Sequence, residues 1–423
     1  MAVDTKKSLR RQVMYSIFVR NYSEAGTFEA VRADLKRIRA LGVDVIWLMP
    51  IHPIGVVGRK GTVGSPYAIM DYRETDPAYG TKDDLRRLAN DAHELGMRVI
   101  IDVVYNHTSP DSWLAKHHPE WFYHRPDGSM GNRFGDWADV VDLDYSHPEL
   151  WDYQIETLKM WAGIVDGFRC DVASLVPLGF WLRARREVAS VRPDALWLAE
   201  SVEPGFIAAA RDRGLNALSD SEIFQAFDVA YDYDVFPWLR SALAGHEGLD
   251  GWITRLNAQE YTYPDNYVKL RFLENHDVSR AHFMIPNPKA LRNWTKLLYF
   301  QKGMTLLYAG QERAARHLPQ LFEKDPVDWT ASEDLAPLMR ALHDMKQDAL
   351  FTDGSFHAEM RNGAVYATHS RGGRRITGVF PLNGQPCLVP VDADEGVYAD
   401  RVTGAPVEVH RGRVSLDGDA VIF

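Results

Sequence analysis

Arg169 and Asp171 stand two residues apart in the run GFRCDVAS (167–174), at the end of an apolar stretch. Residues i and i+2 of a β-strand face the same side, so this spacing sends a guanidinium and a carboxyl into one place. A cation at that range favours the ionised carboxylate, the form a nucleophile needs. Such a pair is equally at home as a structural ion pair. Three further segments share its format. IDVVYNHTS (101–109) is apolar and then closes in Asn106 and His107, LWLAES (196–201) closes at Glu200, and KLRFLENHD (269–277) closes in His276 and Asp277. Four short hydrophobic strands that each deliver charged groups at their carboxyl ends describe the mouth of a parallel barrel, where the loops after the strands carry the chemistry.

The chemistry suited to such groups is acetal cleavage. It needs a proton for the leaving oxygen and stabilisation of an oxocarbenium-like carbon, and two carboxyl groups about 5 Å apart supply both with retention. Asp171 takes the nucleophile's place in this reading. Glu200, at the end of the next strand, takes the acid/base place, its pKa raised by anionic neighbours and partial burial so that it holds a proton near neutrality.

Five more segments accompany the four: VMYSIFVRN from Val13, GVDVIWLMPIHP from Gly42, SPYAIMDY from Ser65, VVDLDYSHPEL from Val140 and GMTLLYAGQE from Gly303. In order and spacing, residues 13 to about 345 resemble the α-amylase superfamily, glycoside hydrolase family thirteen. The resemblance implies a retaining hydrolase of α-1,4-glucans or maltooligosaccharides. It also implies that Asp277 clamps the sugar hydroxyls at positions two and three, that His107 and His276 hold the sugar at the cleavage subsite, and that Tyr67 stacks on the sugar face. Arg169 is counted among the substrate-binding residues as well; Asp71 either meets the substrate or holds its own loop; Arg280 either orients Asp277 or touches a sugar hydroxyl. Glu203 and Glu274 lie in the motifs without taking the family acid's position. The alternatives are a glucosyl transferase using the same trio and a non-catalytic carbohydrate-binding or transporter-associated barrel, against which the intact trio counts.

One departure from the family has consequences. Where starch-cleaving relatives often place a Lys-His pair after the nucleophile, this chain has Val172, Ala173, Ser174 and Leu175. Asn106 matches the position of one family calcium ligand, but calcium takes six to eight oxygens and no DxNxDG loop is present. Asn106 is therefore read as a structural hydrogen-bonding residue, His117, His118 and His124 as polar insertion residues, and no metal or other cofactor is expected.

Positioning these groups requires a (β/α)8 barrel, an α/β fold. Eight strand-like runs alternate with helix-like ones: 13–18, 45–48, 98–103, 167–171, 196–200, 217–220, 269–273 and 305–308. Thr27 and Thr81 read as helix caps, Thr27 before the apolar period Phe28, Val31, Leu35, Ile38 and Thr81 before Leu85 and Leu88. Residues 106–148 form a long insertion after the third strand, resembling a short domain B, between barrel segments 1–105 and 149–345. Residues 346–423 carry β-like runs at 364–369, 375–382 and 413–423, which predict a C-terminal antiparallel sandwich.

Composition narrows the partners. The formal charge is −10, from 48 basic and 58 acidic residues, which repels phosphate backbones and makes nucleic acid an unsuitable partner. No run of 18 apolar residues occurs, and the first residues carry no apolar core or small-residue cleavage site, so membrane insertion and secretion are not expected. Two cysteines, Cys170 and Cys387, make no disulfide framework, which fits a cytoplasmic protein.

Overall fold

The computed structural model describes residues 4–134, 137–330 and 333–423. Eight parallel strands close into a barrel: β1 (Val13–Ile17), β2 (Val45–Leu48), β3 (Arg98–Val103), β4 (Gly167–Cys170), β5 (Leu196–Ala199), β6 (Val229–Tyr231), β7 (Lys269–Arg271) and β8 (Met304–Tyr308). They follow one another round the barrel in chain order, and β8 pairs with β1 to close it. VMYSI, VIWL and MTLLY are buried along their whole length, as parallel strands covered on both faces must be. The register sets Asp102 of β3 beside Arg169 of β4. Gly167 opens β4 because a Cβ there would lie 2.1 Å from the Leu196 carbonyl oxygen of β5.

The helix starts follow the expected chemistry. The Thr27 hydroxyl accepts the Ala30 amide at 3.2 Å, and Thr81 forms a capping box with Asp84 at the head of the helix Lys82–Glu94. Phe28, Val31, Leu35 and Ile38 are all buried. The sixth strand is a correction. Residues 217–220 lead into the short helix Asp220–Ile223, where Glu222 accepts from both the backbone and the hydroxyl of Ser219, each at 2.7 Å, and the strand itself lies at Val229–Tyr231. A Ser-x-x-Glu start is a helix signal that outweighed the short apolar run before it.

The insertion leaves after β3 and returns through a two-residue ribbon, His107–Thr108 against Val141–Asp142, with the short helix Trp113–His117 and the 3-10 turn Pro119–Trp121 between. Beyond the barrel, two antiparallel sheets face each other. One has the order β9 (Ser355–Arg361), β10 (Ala364–Arg371), β11 (Arg374–Phe380), β16 (Val421–Ile422); the other has β12 (Cys387–Pro390), β15 (Arg413–Leu416), β14 (Pro406–His410), β13 (Gly396–Ala399). Ala364, Tyr366 and Val379 from the first pack on Val389, Val407, Val409 and Val414 from the second, the interdigitated core of a sandwich. The run 413–423 is therefore two strands in different sheets. The break is fixed by buried Asn293, whose side chain donates to the carbonyls of Gly418 at 2.8 Å and Pro381 at 2.7 Å. Cys170 is buried, Cys387 is half-buried, and both are free.

Candidate active site

Arg169 is the centre of the barrel mouth. It is fully buried, and its Nη1 donates to Asp102 Oδ1 at 2.8 Å and to Asp171 Oδ1 at 2.9 Å, while its Nη2 lies 2.8 Å from Glu200 Oε2. The aromatic rings of Trp47, Tyr67 and Tyr231 surround the guanidinium at 5.1, 5.6 and 5.5 Å. One cation thus serves three buried carboxyl groups, so the cluster retains protons near neutrality and titrates as a unit. Burial raises Glu200 to about 8, with Arg169 pulling the other way and the charges of Asp171 and Asp277 adding to the rise. Burial also raises Asp171, to about 7, against the opposing pull of Arg169. Arg169 therefore offsets the desolvation of Asp171 without overcoming it, a weaker effect than the RxD spacing alone leads one to expect.

Val172, directly after Asp171, has φ 35°, a left-handed conformation costly for a β-branched residue. The turn aims its amide at Glu200 Oε2, 2.8 Å away, so backbone strain is invested in holding the second carboxyl beside the first.

The remaining groups close over this pair. Tyr67 hydroxyl and His276 Nε2 are 2.6 Å apart, with rings stacked at 5.6 Å and 16°. His276 Nε2 also lies 3.1 Å from Asp277 Oδ2, and the Asn275 side chain accepts the Asp277 amide at 2.8 Å. His107 Nε2 stands 3.9 Å from Asp171 Oδ2, and Tyr72 fixes its backbone by donating to its carbonyl at 2.6 Å. Burial lowers both His107 and His276 to about 4, so each presents a neutral ring at neutral pH. A cavity of about 300 Å³ is lined by Tyr67, His107, Asp171, Glu200, His276 and Asp277 together, and buried Arg169, outside that lining, pairs with Asp171. An arrangement with a shielded proton on one carboxyl, a second carboxyl beside it, and an aromatic face with polar donors is equipped to cleave a glycosidic acetal.

Three residues expected to bind substrate, Arg169, Asp71 and Arg280, are not among those that line this cavity; Arg169 is fully buried and spends its guanidinium on Asp102, Asp171 and Glu200. Asp71 Oδ1 accepts the Arg73 amide at 2.8 Å, a loop-holding role. Arg280 is fully buried and bonds Glu274 at 2.6 Å and the carbonyl of Ala309 at 2.8 Å. Glu274 in turn accepts the Ala281 amide at 2.6 Å, so the pair folds the segment that carries Asp277. Glu203 pairs with Arg240 at 3.3 Å away from the cavity.

The surroundings of Asn106 do not fit a calcium ion. The Asn106 carbonyl accepts the Leu143 amide, and the nearby Arg133 guanidinium donates to the Leu143 carbonyl at 2.8 Å and pairs with Asp144 at 3.2 Å. A cation from the chain itself already occupies the oxygens there. Among the described residues, no group of three or more His, Cys, Asp or Glu side chains is placed to hold a metal. His117 and His118 stack on Trp113 and Trp121 at 4.3 and 3.8 Å.

Asp102, fully buried and paired with Arg169, is marked in the sequence only as a lone acid inside the apolar run IDVVYNHTS. Lys60, Asp139 and Phe322 line the cavity from loops, where no periodicity marks them. Of the insertion's tryptophans, Trp137 meets the cavity beside His107, Trp121 is buried, and Trp113 stacks on Tyr153 instead.

Comparison with known proteins places this geometry. Residues 12–202 match the model of the alpha amylase catalytic domain, and residues 355–423 that of the bacterial alpha amylase C-terminal domain. The crystal structure of an alpha-amylase from Lactobacillus plantarum superposes with a TM-score of 0.96 at 48% identity, over 99% of each chain. The alpha-amylase MalA of Haloarcula japonica is 28% identical over 97% of this chain, which spans 60% of that protein's length. An alpha-1,4-glucan:maltose-1-phosphate maltosyltransferase of Rhodospirillum rubrum is 37% identical over 42% of this chain and 28% of its own. The chain belongs to the α-amylase superfamily, glycoside hydrolase family thirteen.

Proposed function

We propose that the protein is a retaining hydrolase of α-1,4-glucosidic bonds in maltooligosaccharides or related α-glucans. The observation that carries this reading is the single guanidinium shared by Asp171 and Glu200, which holds the two carboxyls close, as the retaining class requires. Asp171 attacks the anomeric carbon as Glu200 passes its proton to the leaving oxygen, giving a glycosyl-enzyme ester. Glu200, now ionised, takes a proton from water, whose oxygen attacks the same carbon and releases Asp171. Asp277, His276 and His107 hold the sugar hydroxyls and Tyr67 its apolar face. No cofactor enters these steps.

Transfer to a sugar hydroxyl instead of water uses the same trio, and the maltosyltransferase likeness favours keeping it as the second reading. Neither reading needs a membrane; among the described residues no helix is long and apolar enough to cross one. A cytoplasmic location is supported by the two unpaired cysteines. Incubating the protein with maltotriose and following the anomeric protons by NMR tests the proposal. The α-anomer of the new reducing end appears first if it holds; first appearance of the β-anomer, or no cleavage, rejects it.

A further inference from the structure

Three loops converge on one side of the cavity that holds Asp171 and Glu200. Glu200 ends β5, and a leaving group that takes its proton from Glu200 must lie on the β5 side. The rest of the substrate then extends across the barrel toward β1, which stands opposite β5 and is flanked by β2 and β8. The loops after β2 and β8 meet there. The Val63 amide donates to the Phe322 carbonyl at 3.2 Å and the Thr62 amide to Glu323 at 3.0 Å. Gly61, at φ +61°, allows the contact, since a Cβ would lie 2.5 Å from the Phe322 carbonyl oxygen. Buried Arg20 ties the same two loops from behind, donating to the carbonyls of Gly64, at 3.1 Å, and Leu321.

The insertion supplies the third side. Lys60, from the β2 loop, pairs with Asp139 at 2.8 Å, and its ammonium lies 5.7 Å from the Phe322 ring. All three residues line the cavity that holds Asp171 and Glu200. Its volume of about 300 Å³ is at the small end for ligand sites.

We infer that this wall of Lys60, Asp139 and Phe322 makes the enzyme exo-acting: it receives the non-reducing end of an α-glucan, with Lys60 and Asp139 meeting the terminal sugar's 4- and 6-hydroxyls, and releases short products from that end. The inference rests on the hydrolase reading above. An internal stretch of glucan would have to pass through three packed segments. The closed end selects free chain ends by excluding substrates that carry anything beyond the terminal hydroxyls.

The test compares nitrophenyl maltoheptaoside with the same compound blocked by a 4,6-O-ethylidene group at its non-reducing end, products being separated by chromatography. The free substrate is expected to be cleaved at least about 100-fold faster, because a walled pocket rejects the added group sterically. Similar rates on both, within about threefold, overturn the exo assignment while leaving hydrolysis intact; cleavage of neither overturns the hydrolase reading and the inference with it. A second measurement uses the double variant Lys60→Ala, Phe322→Ala. Opening the wall is expected to raise the blocked-to-free rate ratio by about tenfold or more, with KM for the free substrate rising more than kcat falls. An unchanged ratio in a folded double variant assigns the selection elsewhere and overturns the role of these residues.

Discussion

Replacing Arg169 with methionine keeps an unbranched stem in the barrel and removes the one cation that Asp102, Asp171 and Glu200 share. Leaving a buried ion without its partner costs about 3–5 kcal/mol. The size of that penalty depends on pH, and its sign follows from the carboxyls. Burial raises Asp171 to about 7 and Glu200 to about 8 in the folded state, above their ordinary values of 3.8 and 4.5. The folded state therefore binds more protons than the unfolded one between those values, and this cluster's contribution to stability falls as pH rises through that window. Without Arg169 the carboxyls move further up. Near pH 5 both proteins hold neutral carboxyls and differ little; near pH 9 the wild type has ionised against its guanidinium, whereas the variant must ionise unpaired or stay protonated at a cost. The melting temperature gap should thus be small near pH 5 and widen to roughly 5 °C near pH 9 for a protein of this size. Activity should fall about 100-fold near pH 6, since about 3 kcal/mol of lost anion stabilisation is about two decades in the ionised fraction of Asp171. Melting curves by circular dichroism from pH 5 to 9, with maltotriose rates alongside, measure both. A gap that is constant with pH, or widest near pH 5, would refute the reasoning.

Glu200→Gln should slow natural glucosides by about 10²–10⁴-fold yet spare aryl glucosides with good leaving groups, and it should remove the alkaline decline of activity expected of the wild type near pH 8. Equal losses on both substrates, or an unchanged alkaline limb, would assign the acid elsewhere. Excess EDTA should leave the melting temperature unchanged, whereas Arg133→Ala should lower it, because Arg133 supplies the positive charge that ties Leu143 and Asp144; differential scanning fluorimetry separates the two. Initial rates per active site should be higher on maltotriose than on soluble starch, as a closed glycone end and a short insertion predict; faster starch cleavage would contradict the reading.

The carboxyl groups gathered at the barrel mouth were the most legible part of the sequence, for a physical reason. A barrel strand buried on both faces reads as an apolar run, so a charged group at its end stands out, as Asp171, Glu200 and Asp277 do. The same contrast exposed β1, β2 and β8 and the threonine caps. The strand at Val229–Tyr231 is three residues long and lies in DVAYDYD, where acids on both sides mask it. Arg280 and Asp71 illustrate the opposite error: proximity in sequence to Asp277 and Tyr67 did not bring their side chains into the cavity, because each satisfies a nearby backbone or carboxyl group instead. Lys60, Asp139 and Phe322 come from three separate loops, and only the closure of the barrel brings them together. The two strands within 413–423 required the tertiary anchor at Asn293 to be told apart.

The central claim is that Asp171 becomes covalently attached to the sugar during turnover. Incubating the protein with 5-fluoro-α-glucosyl fluoride, whose ester is formed faster than it is hydrolysed, and mapping the labelled peptide by mass spectrometry tests it directly. One added glycosyl group is expected, on the peptide containing Asp171, and none on Asp171→Asn. A label on Glu200 or Asp277, or turnover with no covalent adduct and an inverted product, would contradict it.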